Sequence, residues 1–245
     1  MIGRSGNPTL SDKVFEKHQS YNEERMTIGG TVNKSFMTLA LLLAGASVSW
    51  SMYFQGYDVL KYALGGAVLA FVLALVVSFK PTSAPYLVPV YAVLEGVFLG
   101  SLSATYESAF NGITLQAALI TISIFLGLLL AYKTGLIKAT ENFKLGVFAA
   151  TAGIALVYLF SFILGFFGIT VPYLHSNDLI GIGISVFIVI IAALNLVLDF
   201  DFIENGAQQG APKYMEWYGA FGLTVTLVWL YLEVLRLLAK LASRD

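Results

Sequence analysis

The chain has 245 residues, 58% of them hydrophobic and 12% charged, with a formal net charge of −1. Soluble domains carry nearer ~25% charged residues, so a soluble core clothed in charge is excluded and lipid must be the outer solvent. The near-zero net charge excludes a nucleic-acid partner, and the absence of cysteine excludes disulfides, thiolate metal sites and cysteine nucleophiles.

Residues 1–30 mix both charge signs with Gly, Pro and Ser and read as a polar N-terminal tail, flexible or loosely helical, on one membrane face. The first apolar run begins near Phe36, too far from Met1 for the apolar core of a cleaved signal peptide. Residues 31–245 read as a single seven-helix transmembrane domain. A crossing helix needs ~20 apolar residues, and segments 36–54, 60–79, 86–106, 113–132, 145–168, 179–199 and 218–238 meet or approach that length. The breaks carry turn chemistry: Gln55 to Asp58, Lys80-Pro81, Asn111-Gly112, Lys133 to Lys144, Pro172 to Asp178 and Asp201 to Glu216. None is long enough for a soluble domain. The class is therefore an all-α membrane protein.

Basic residues collect on cytoplasmic loops. With the N-terminus inside, Arg4, Lys13, Lys17, Arg25, Lys34, Lys80, Lys133, Lys138, Lys144 and Lys213 fall inside, against Lys61, Arg236, Lys240 and Arg244 outside. The expected setting is a bacterial cytoplasmic (inner) membrane with a cytoplasmic N-terminus. Seven spans put the basic C-terminal end outside; a six-span count with one re-entrant segment would return it to the inside. Small residues mark helix packing: Gly96 and Gly100 form a GxxxG pair, and Gly66/Ala70 and Ala149/Gly153 repeat the spacing. Packing within the chain is the plainer reading of these pairs, a dimer interface the sharper one. Trp50, Tyr53 and Tyr57 read as an aromatic belt, and His175 as a residue of an exposed loop. No internal repeat is visible, which weakens an inverted-repeat transporter.

A carboxylate at bilayer depth costs at least ~2.5 kcal/mol on insertion scales, so each one asks for a reason. Glu95 sits in the middle of the third span. It reads as a proton-titratable group or ion ligand, or more blandly as a protonated side chain bonded to a neighbouring helix. At the end of the sixth span, Asn195 and Asp199 are four apart and share a face, as do Asp201 and Glu204, three apart. This polar stripe suggests a water-accessible cavity; the plain alternative, strongest for Asp201 and Glu204, is the headgroup boundary. On the seventh span Gly222, Thr226, Trp229 and Glu233 follow helical spacing, and Glu233 can pair with Arg236 as an ion pair or interfacial anchor. Carboxylates suit hard cations and protons. Asp199 and Glu95 are the candidate metal ligands.

Enzyme readings fail: no Lys lies deep in the last span for retinal, no GxGD marks an aspartyl protease, and no HExxH marks a zinc protease. The expectation is no enzyme and no cofactor.

Four stretches carry a resemblance: Met26 to Lys34 (MTIGGTVNK), Leu94 to Ser101 (LEGVFLGS), Asn195 to Glu204 (NLVLDFDFIE), and Met215 to Tyr218 (MEWY) continuing through Trp229 to Arg236 (WLYLEVLR). Together they make the chain resemble the Bax inhibitor-1/YccA family, the transmembrane Bax inhibitor motif proteins, as a bacterial-type member. The resemblance implies a seven-helix bundle with a central C-terminal helix that leaks calcium, gated by two aspartates sharing a proton and latched by a basic residue of the second span. Carried over singly, the sixth-span aspartate falls on Asp199. The seventh-span aspartate falls near Thr226, where this chain has no carboxylate, and the latch falls on Lys80. Glu95 or Asp201 is the expected substitute partner. The function expected is thus a pH-sensitive calcium leak channel. The rivals are a proton-coupled secondary transporter and a non-transporting regulator that binds a membrane protease.

Overall fold

In the computed structural model, which describes residues 24–168 and 176–244, each apolar segment forms one helix. These are α1 (Ile28–Phe54), α2 (Leu60–Phe79), α3 (Ala84–Ala109, entered through a 3₁₀ turn at Pro81–Ser83), α4 (Ile113–Lys133), α5 (Glu141–Phe166), α6 (Leu179–Gln208) and α7 (Met215–Ala242). All seven are long and apolar enough to cross a membrane, so no re-entrant segment is needed. Residues 1–23 of the polar tail, with Arg4, Lys13 and Lys17, lie outside the described residues, as does His175.

Local chemistry sets the helix ends. Thr27 caps α1, its hydroxyl accepting the backbone N–H of Gly30 at 2.9 Å, so the helix begins inside the stretch expected to be tail. Asp178 caps α6 through the N–H of Gly181 at 2.7 Å. At α4 the cap comes from outside: Glu107 accepts the N–H groups of Gly112 and Thr114 at 2.6 and 3.1 Å. Gly112 there holds a φ of 82°, a left-handed conformation that glycine adopts at no steric cost. α6 does not break at Asp201 as expected but continues to Gln208, because its polar end is taken up by side chains of α4 and α5.

α7 is the centre of the bundle. It packs against α1, α3, α4 and α6, while α2 leans on α3 and α5 on α6. Ala192, Leu196 and Phe200 of α6 meet Leu223, Leu230 and Val234 of α7, closed at one side by Ile113 and Ala117 of α4. Phe71, Phe79, Phe148, Phe162 and Phe166 point outward, as an outer solvent of lipid allows. α5 is the most peripheral helix, with 11% of its apolar window covered.

Glycines decide the closest contact. A Cβ at Gly96 or Gly100 would overlap the carbonyl oxygen of Leu42 or Ala46, and one at Gly45 that of Val93. α1 and α3 therefore touch backbone to backbone, and the GxxxG pair serves packing within the chain. Gly66 of α2 approaches α3 less closely, a Cβ there standing 3.1 Å from the Leu94 carbonyl oxygen. The Ala149/Gly153 pair does not behave so: nothing lies near Gly153, because α5 meets α6 one step around, through Ala150 and Ile154 against Ile188 and Ile191.

Candidate functional site

α6 turns Asp199 toward the central helix. Its carboxyl faces Thr226, and a Cβ at Gly222 would stand 3.7 Å from its Oδ1. Its Oδ2 is buried and has no hydrogen-bond partner. The surrounding Leu196, Phe200, Leu223 and Leu230 offer none either. An unsatisfied carboxyl oxygen in a packed apolar seam is costly, and few such groups persist without a use. The residue across the seam is Thr226, at the position to which the resemblance assigns the second aspartate.

The other expected site residues are spread around α7 rather than gathered on Asp199. Glu95 lies between Tyr91 and Leu99 on the stripe of α3 whose members pack against Phe221 and Val228 of α7. Asn195 turns to α5 and donates to the Thr151 hydroxyl at 2.8 Å. Asp201 pairs with Lys144 of α5 at 2.9 Å. Glu204 accepts the Tyr132 hydroxyl of α4 at 2.6 Å. Asp201 is therefore engaged with α5 rather than with Asp199. Lys80, the expected latch, is exposed at the end of α2. Among the described residues no three His, Cys, Asp or Glu side chains gather as a metal cage.

Two polar clusters lock the ends of α7. At its start Glu216 is fully buried and accepts the N–H and hydroxyl of Thr27 at 3.0 and 2.9 Å. Lys34 and Lys213 approach it at 3.1 and 3.3 Å. A Cβ at Gly30 would overlap this carboxylate. Beside it the Met26 N–H donates to the Ala211 carbonyl at 2.7 Å, so residues 25–27 are strapped to the α6–α7 turn. The first and last stretches of the family resemblance are thereby one structure.

Near the other end Glu233 is 2% exposed. It receives Arg236 at 2.9 and 3.0 Å, the Tyr158 hydroxyl at 2.9 Å and the Trp229 indole N–H at 3.2 Å. The Glu233 carboxylate of this pair is thus packed against α5, and Tyr158 and Trp229 supply further donors that satisfy it. Lys240 donates to the Gly181 carbonyl at 3.1 Å. There the Ser176 hydroxyl, and then the Gly181 N–H, hold the Asp178 carboxyl below its usual range. Tyr158, Lys144, Lys34 and Glu216 were not singled out as site residues from the sequence. Only the presence of Lys34 and Glu216 in the resembling stretches pointed to them.

Two cavities open at the end of the bundle where α1 begins. One, of about 730 Å³, lies between α5, α6 and the start of α7 and is lined by Lys144, Leu198, Asp201 and Asn205. The other, of about 890 Å³, lies between α1 and α4 and is floored by Phe200, Leu223 and Leu227. Leu198 and Phe200 flank Asp199, so the cavities approach it from two sides of α6, while Asp199 itself lines neither.

Seven membrane-length helices around a central last helix, with ionisable side chains turned inward, define an integral membrane protein. A family model described as Bax inhibitor 1 like matches residues 7–243, and the chain belongs to that family. Searches of curated proteins and of solved structures found no match.

Proposed function

We propose that the chain is a pH-sensitive cation leak channel of the Bax inhibitor-1 type, with calcium as the permeant ion, and not an enzyme. The observation that carries this reading is the Asp199 carboxyl, buried between α6 and α7 with one oxygen unpartnered. The cavity between α5, α6 and the start of α7 supports it, since its polar lining of Lys144, Asp201 and Asn205 reaches Leu198, the residue before Asp199. The seam is closed here by Phe200, Leu223 and Leu230.

Separation of α6 from α7 at Asp199 and Thr226 would join that cavity to the far face. The charge on Asp199 decides what it holds: ionised it attracts a cation, protonated it rests on the Thr226 hydroxyl. Groups nearby are otherwise engaged: Lys144 with Asp201, Tyr132 with Glu204 and Asn195 with Thr151. No ion-pair partner competes for Asp199 among the described residues. The proposed setting is a bacterial cytoplasmic membrane with the α1 start, rich in Lys and Arg, on the cytoplasmic side.

Calcium flux into dye-loaded liposomes across a pH series tests the proposal. The wild type is expected to leak with a marked pH dependence, and Asp199→Asn to flatten that dependence. Equal pH profiles for the two proteins would overturn it. Saturable uptake of a solute with the pH gradient would favour a transporter, and a biological effect retained in Asp199→Asn would favour a regulator binding a membrane protease.

A further inference from the structure

We propose that the groove between α1 and α4 is a binding site for one anionic phospholipid of the bilayer, its phosphate on Lys133 and Lys138 and an acyl chain lying inward along the groove. α1 and α4 do not pack against each other. The space between them is the cavity of about 890 Å³, within the range of specific small-molecule sites. Its walls include Phe36, Leu39, Leu126 and Leu129, and Phe36 and Leu126 are 69% and 49% exposed, so the groove is open sideways to lipid. Its floor is the central helix itself, through Leu223 and Leu227.

Depth and charge both fit that occupant. At ~1.5 Å per residue, the wall from Lys133 to Phe125 runs inward ~12 Å, close to the ~15 Å hydrocarbon depth of one leaflet. The mouth carries two lysines, Lys133 and Lys138, that are free to meet an anion. Asp201 and Glu204 also line the groove, but Asp201 is paired with Lys144 at 2.9 Å and Glu204 takes hydrogen bonds from Tyr132 and Gln208. Lys133 and Lys138 are exposed and have no ion-pair partner among the described residues. Two ammonium groups at the end of an apolar slot match a phosphodiester at the end of an acyl chain, the pattern of basic lipid sites between membrane helices. Such a lipid would rest on α7 beside Phe200, next to the seam that holds Asp199. The site does not depend on the channel reading.

The full chain, purified in detergent and offered phosphatidylglycerol or phosphatidylcholine, tests this by native mass spectrometry of the retained lipid. The wild type is expected to retain phosphatidylglycerol about tenfold or more over phosphatidylcholine, from roughly one favourable charge contact per lysine. Lys133→Gln with Lys138→Gln is expected to bring the two lipids near parity, Leu126→Trp to lower retention of both, and Lys61→Gln, a lysine outside the groove, to change nothing. Equal retention by the wild type, or an unchanged preference in the double variant, overturns the site and leaves an unselective lipid belt. Equal competition by soluble glycerol phosphate also overturns it, because a free anion would then suffice. Should the double variant fail to fold, a salt series on the wild type decides: the preference must fall as salt rises, and one indifferent to salt overturns the proposal.

Discussion

Glu216, the second residue of the central helix, accepts the backbone N–H of Thr27, the cap of the first helix, at 3.0 Å across 189 positions of sequence. The contact ties the start of the bundle to its centre. Lys34 and Lys213 neutralise the carboxylate, and the missing side chain of Gly30 leaves it room.

Removal of that carboxylate should leave two lysines facing a buried hole. Glu216→Ala is predicted to destabilise the protein by about 3 kcal/mol, the range for one partner lost from a buried ion cluster. Gly30→Ala, which thrusts a methyl group into the same place, should also destabilise it. Thermal unfolding in detergent measures both; a Glu216→Ala protein as stable as the wild type would refute the role given to this cluster.

The contact of α1 with α3 depends on absent side chains. Gly96→Ala and Gly100→Ala each place a methyl against a carbonyl oxygen of α1, and overpacking of this kind costs about 1–3 kcal/mol. Gly153→Ala, on the open side of α5, serves as the control and should cost nothing measurable. The idea fails if all three variants unfold at one temperature.

Tyr158 holds both members of the Glu233–Arg236 pair, donating to Glu233 and receiving Arg236. Tyr158→Phe is expected to cost about 1–3 kcal/mol, since it strips a hydrogen-bond partner from buried charges. Glu233→Ala should cost more, because Arg236 then loses its counter-charge. The reverse order of unfolding midpoints would contradict this account.

The place facing Asp199 offers a gain-of-function experiment. Thr226→Asp would set two carboxyls across the α6–α7 seam, where interacting groups titrate as a pair in two steps. Calcium flux through liposomes carrying this variant is predicted to gain a second step in its pH profile. Asp199→Asn in the same background should abolish that step. A profile identical to the wild type would show that the two positions do not meet during gating.

The sequence by itself determined the class, the number of spans and most helix limits, because crossing a bilayer demands a length of apolar residues that composition and turn residues display directly. It also set out the Gly96/Gly100 pair and the Glu233–Arg236 pair, whose members are neighbours along one helix. What it did not display is azimuth. Lipid is as apolar as a core, so hydrophobicity alone does not tell which face of α5 or α6 turns inward, and Gly153 proved to face outward while Asp199 faced the centre. Only the tertiary structure joined Thr27 and Lys34 to Glu216, Lys144 to Asp201 and Tyr158 to Glu233. Those partners lie on different helices, and the contact is decided by how the helices rotate and pack around α7.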